Sequence, residues 1–125
     1  ATGHPLAAAH AGWRGLAAGV AGRLLQALPE SPLAVVLGPS ICGSCYRVGE
    51  EVREAVSGFT DPGAHPPGRL DLAAAALDQL DAAGLPADVA VYRMDSCTLC
   101  GGAGLFSFRG GEQRGRNHVW LEEFP

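Results

Sequence analysis

One hexapeptide carries the residue types that bind and process anions: His10-Ala11-Gly12-Trp13-Arg14-Gly15. The histidine closes an apolar run, two glycines allow a tight backbone, and a helical pattern begins directly after. The first amides of a helix lack intrahelical partners and sit at the positive end of its dipole, so anions settle there. Arg14 adds a fork of donors suited to phosphate or carboxylate. The plainer account of the same residues is a strand-to-helix turn with a packed tryptophan and a satisfied histidine. A second chemistry lies in the cysteines, which form Cys42-Gly43-Ser44-Cys45 and Cys97-Thr98-Leu99-Cys100. Two CxxC pairs can bind a structural zinc tetrahedrally. The 51 residues between them (46–96) exceed the usual spacing of about 15–20. Such a site therefore requires two loops that meet in space; isolated reduced thiols are the alternative.

These groups need elements to position them. Leu6–His10 is short, apolar and preceded by a turn, which predicts a strand. Leu16, Val20, Leu24, Leu25 and Leu28 recur at helical spacing, predicting one helix over Trp13–Leu28 that stops at Pro29. Leu33–Leu37 is a continuous apolar run ended by Gly38-Pro39 and reads as a buried strand. The loop 38–49 then leads into a helix with Val52, Ala55, Val56 and Phe59 on one face. Residues 60–69, rich in proline and glycine, are expected to be a surface loop. Asp71 is a plausible N-cap for a helix that buries Leu72, Ala76, Leu77 and Leu80, closed by Gly84 and Pro86. Ala87–Met94, Leu105–Arg109 and Val119–Leu121 read as further strands. The mixture is α/β or α+β in one domain over 1–125, without a GxGxxG turn after a strand.

Composition narrows the partners. Of 125 residues, 47% are hydrophobic and 18% charged, which suits a packed core and disfavours disorder. The net charge of −4 and the lack of a basic cluster argue against a nucleic-acid partner. No apolar run reaches membrane-spanning length, since the Ala-rich stretches are interrupted by Gly, Arg, Gln or Asp. The first residues contain neither an initiator Met nor a signal peptide, so a reducing cytoplasm is expected. A chain that opens on a turn is expected to be an N-terminally truncated piece of a longer one. It should then be poorly stable alone, or associate with its missing N-terminal half or with a second copy.

The hexapeptide resembles the signature of the YfiH family, also called laccase-domain or multicopper polyphenol oxidase proteins. Gly38-Pro39-Ser40-Ile41 with Cys45-Tyr46-Arg47-Val48-Gly49-Glu50-Glu51-Val52 resembles that family's GP-x-I…CYEVGEEV segment. Leu70-Asp71-Leu72, Gln79-Leu80 and Gly84 resemble its LDL…QL…G helix. Cys97-Thr98, Leu105-Phe106-Ser107-Phe108-Arg109 and Gly115-Arg116 resemble its closing CT…FFSYRR…GR. The similarity runs in order from about residue 6 to residue 121. Two departures are Arg47, where glutamate is usual, and Gly110, where a second arginine is common.

The resemblance implies an α+β fold layered α/β/β/α with mixed sheets. It also implies zinc-dependent purine nucleoside phosphorylase activity on adenosine, inosine, guanosine and methylthioadenosine, with possible adenosine deamination. Zinc with three protein ligands keeps a fourth position open for water or substrate. The implied ligands are two histidines and a cysteine, of which His10 is one and the other two belong to motifs preceding HAGWRG. Either an upstream segment is absent from this chain or the metal site has been lost. His10 and Arg14 are the expected catalytic residues. Gly12, Arg14, Gly15, Ser40, Tyr46, Arg109 and Arg116 are expected to contact nucleoside or phosphate, although Arg109 and Arg116 also suit a solvated strand edge. Three other readings remain: copper-dependent polyphenol oxidation, a Cys-His hydrolase that edits peptidoglycan precursors, and a non-catalytic fragment with zinc at the CxxC pairs.

Overall fold

The computed structural model describes residues 6–57, 68–94 and 97–100, with only the backbone of Ser57. Six elements follow in order: α1 (Trp13–Ala17), α2 (Val20–Ala27), β1 (Ala34–Leu37), α3 (Glu50–Ser57), α4 (Leu72–Ala82) and β2 (Ala90–Arg93). The mixed helix-and-strand class expected from the sequence holds. Among the described residues the sheet has two strands, and they run parallel. Parallel neighbours need a long crossover, and here that crossover contains α3 and α4. No described helix is long and apolar enough to cross a membrane.

The helix expected over Trp13–Leu28 is two helices. Gly19 adopts φ +79°, a left-handed conformation that glycine reaches without strain, and the chain turns there. Gly19 is also the N-cap of α2 and offers no side chain to its free amides. Gln79, 3% exposed on α4, fills that role. Its Oε1 accepts from the Ala21 amide (3.3 Å), and its Nε2 donates to the Leu16 carbonyl at the end of α1. One buried amide from a helix 58 residues away thus satisfies both sides of the break. Apolar spacing runs through the glycine undisturbed, so periodicity alone could not place the turn.

α4 follows the sequence closely. Asp71 Oδ1 accepts from the Ala74 amide at 3.0 Å, the N-cap bond that its residue type favours. At the other end Leu85 N–H reaches the Leu80 carbonyl and Gly84 N–H the Asp81 carbonyl. Gly84, at φ +98°, makes this paired-bond stop possible. Ala75, Ala76, Gln79 and Leu80 are buried, while Leu72 and Leu77 are half-buried. α3 buries Val52 and Val56 as expected but leaves Ala55 exposed. Leu16, Val56 and Leu70 are the largest fully buried side chains, and α1 packs on α3 while α2 packs on α4.

Two strand expectations are corrected. Leu6–His10 forms no strand: its residues are exposed and no described strand pairs with them. An apolar run becomes a strand only where a neighbour takes its backbone groups. β1 exists but is not buried on both faces. Val35 and Leu37 pack against the core, whereas Leu33 and Val36 are 72% and 64% exposed. All four residues of β2 are exposed. Phe59, Leu105–Arg109 and Val119–Leu121 lie outside the described residues, as do residues 60–67 of the expected loop.

Candidate functional site

The parallel strands bring the two CxxC segments to one end of the sheet. β1 and β2 pair from Ala34↔Ala90 to Leu37↔Arg93. Past their ends the Met94 amide donates to the Leu37 carbonyl, Ser40 bridges Cys97 in parallel, and the Thr98 amide donates to the Ser40 carbonyl. The loop after β1 then tightens, with the Cys45 and Tyr46 amides both donating to the Cys42 carbonyl at 3.0 Å. As a result, the four Sγ atoms of Cys42, Cys45, Cys97 and Cys100 all lie within 4.8 Å of one another. Cys42 and Cys100 are 3.8 Å apart, and none of the four is in a disulfide. This is a group that can hold a metal ion. The long sequence gap between the pairs is closed by strand pairing rather than by a local knuckle.

Cys97 is the electrostatic centre of the group. Its sulfur accepts backbone hydrogen bonds from Cys42 (3.2 Å), Leu99 (3.3 Å) and Cys100 (3.4 Å). Burial pushes this thiol up, but the three donors outweigh that and bring it down to about 6. Cys45 moves the other way: the Cys100 and Cys42 thiols beside it, with burial, push it up to about 12. Cys97 is thus the sulfur prepared as a thiolate, while Cys45 is held towards its protonated form.

His10 of the HAGWRG turn does not belong to that group. His10 and Arg14 are exposed, and the Arg14 guanidinium stacks over the Trp13 ring, 4.9 Å from its centre. The turn is close-packed on itself. A Cβ at Gly12 would meet His10 Nε2 at 3.3 Å, and one at Gly15 would meet Val20 Cγ1 at 3.3 Å and the His10 carbonyl at 3.5 Å. A side chain at either glycine would require His10 or Val20 to give by a few tenths of an ångström. The expected helix start is present, but α1 is only five residues long and Gly12 contributes no side-chain cap. Any anion affinity here rests on Arg14 more than on a helix dipole.

Tyr46 and Ser40, two of the expected contact residues, lie in the segment that leads from β1 to α3. Tyr46 is 8% exposed and belongs to the core, so it supports the loop from beneath. Ser40 is half-buried and lines an open cleft with Cys42, Asp71, Arg93 and Cys97. The sequence signal for Arg93 is its place at the end of the apolar run Val89–Tyr92. Arg109 and Arg116 lie outside the described residues. Among the described residues, no group of three or more His, Cys, Asp or Glu side chains that could hold a metal ion includes His10.

Residues 1–122 match the family described as multi-copper polyphenol oxidoreductase laccase. The chain belongs to this family. Within it, the chain is 40% identical to a purine nucleoside phosphorylase of Pseudomonas aeruginosa, over 98% of this chain and 54% of that protein. It is 32% identical to an adenosine deaminase of an unknown prokaryotic organism, over 83% of this chain and 44% of that protein. The crystal structure of YlmD from Geobacillus stearothermophilus superposes with a TM-score of 0.70 at 35% identity. That match covers 82% of this chain and 43% of the YlmD chain. The laccase-family chain thus spans about half the length of the relatives it matches.

Proposed function

We propose that this chain is the part of a purine nucleoside phosphorylase that supplies the HAGWRG turn. The observation that carries the reading is the 40% identity, over nearly the whole chain, to a protein of that name. Phosphorolysis breaks the bond between the ribose anomeric carbon and the purine nitrogen. A phosphate oxygen bonds to that carbon, and a proton ends on the released base. The protein must hold phosphate against the sugar and stabilise charge on the departing purine. Arg14, exposed and held against Trp13, would grip phosphate in bidentate fashion. Gly12 and Gly15 keep the backbone close enough to His10 for the turn to present both side chains on one short loop. The implied zinc would polarise water or substrate, with His10 as the ligand from this chain and its remaining ligands from outside the described residues. Ser40, Arg109 and Arg116 are assigned to nucleoside or phosphate contact on their motifs.

Base release from inosine, followed with and without phosphate, tests this reading. Release that requires phosphate and falls at least tenfold in His10→Ala and Arg14→Ala supports it. Release independent of phosphate refutes it in favour of hydrolysis. A second reading, adenosine deamination, is favoured by the similarity to the adenosine deaminase. It predicts ammonia from adenosine without phosphate.

A further inference from the structure

His10 and Arg14 of the HAGWRG turn are not among the four clustered cysteines' metal-ligand group. We infer that Cys42, Cys45, Cys97 and Cys100 together bind a single zinc ion, which clamps the loop between β1 and α3 to the segment following β2.

The distances favour one metal centre. A zinc–sulfur bond of about 2.3 Å in a tetrahedron places neighbouring sulfurs about 3.8 Å apart. The Cys42–Cys100 pair already has that separation, at 3.8 Å. The widest pairs, within 4.8 Å, need to close by about 1 Å, a movement within reach of side-chain rotation in short loops. An iron–sulfur cluster distributes its cysteines over several irons and needs the sulfurs spread around it; these converge on one point. Four soft thiolates in tetrahedral array select zinc among the common divalent ions.

The surroundings suit the charge that such a centre carries. Four thiolates around a divalent ion leave a net charge of −2, and structural sites offset it with outer hydrogen bonds. Here the amides of Cys42, Leu99 and Cys100 already converge on Cys97. Cys97 is 5% exposed and anchors the group in the core, while Cys100 is exposed and leaves a path for the ion to enter. With four protein ligands no position stays open for water or substrate, so the centre is structural. Zinc displaces the thiol protons as it binds, and affinity therefore falls as pH falls.

The test uses the full chain purified under reducing conditions. Elemental analysis is expected to find one zinc per chain. The cobalt-substituted protein should show the charge-transfer intensity of four thiolates and a tetrahedral d–d spectrum. Competition with a chelator should find zinc at least tenfold weaker in Cys45→Ser and in Cys100→Ser. Iron in place of zinc, two disulfides in alkylated protein, or zinc affinity indifferent to both cysteine substitutions overturns the assignment. If either variant does not fold, the cobalt spectrum of the unaltered chain decides, since an intensity of two thiolates or fewer refutes the four-cysteine centre.

Discussion

Replacing Gln79 with leucine isolates the contribution of one buried amide to the break between α1 and α2. Leucine has similar bulk, so packing changes little and the polar loss dominates. The Ala21 amide, in the first turn of α2, would lose the Oε1 acceptor it now has. Leaving a buried donor without a partner costs about 1–3 kcal/mol. The Leu16 carbonyl keeps the Gly19 amide at 3.0 Å and loses only its second donor, a further ~0.5–1.5 kcal/mol. The sum is about 1.5–4.5 kcal/mol, a large share of the roughly 5–15 kcal/mol that holds a domain folded. Urea unfolding followed by tryptophan fluorescence reads it directly. With a slope of about 2 kcal/mol per molar, the midpoint should fall by about 1–2 M. Gln79→Glu sharpens the test. At neutral pH the introduced carboxylate accepts from Ala21 but has no proton for Leu16 and is charged in the core. Burial raises its pKa, so the deficit should shrink as acid protonates it and restores a donor. A midpoint shift below about 0.25 M for Gln79→Leu, or a Gln79→Glu deficit insensitive to pH, would refute the bridging role.

Further outcomes are expected at the caps and the turn. Asp71→Ala removes the bond to the Ala74 amide and should cost about 0.5–2 kcal/mol, with Asp71→Asn retaining most of it, measured by urea unfolding. Gly19→Ala forces a Cβ into a left-handed residue at φ +79° and should lower stability by about 1–2 kcal/mol in the same assay. Arg14→Lys keeps the charge but loses the planar fork. Its KM for phosphate should rise at least about threefold with a smaller change in kcat, and an unchanged KM would remove Arg14 from the phosphate site. Stripping metal with a chelator should lower the thermal midpoint of the chain by several degrees, and no change would mean that no ion clamps the cysteines.

Legibility followed the range of the interactions. The boundaries of α4 were readable because Asp71, Gly84 and Pro86 act within a turn of their own positions. The HAGWRG turn was readable for the same reason: its glycines, histidine and arginine are neighbours in sequence and stay so in space. The break at Gly19 was hidden because its stabilising partner, Gln79, comes from α4. The cysteine cluster was hidden likewise. Each CxxC is a local pattern, but their meeting depends on parallel pairing between distant strands. Leu6–His10 misled because apolar character was read as pairing.

That pairing also governs how the chain reaches its fold. Ala34 must find Ala90, a partner 56 positions later, before the first ladder bond can form. Contacts of such separation slow folding, because the loop is closed before any contact rewards it. During synthesis β1 emerges long before β2, with Val36 and Leu33 lacking the neighbour that orders their strand. An ion held by Cys42 and Cys45 could capture Cys97 and Cys100 as they arrive, setting the two strand ends side by side ahead of the sheet. The metal would then shorten the search as well as secure its result, and refolding with zinc present should be faster than without it.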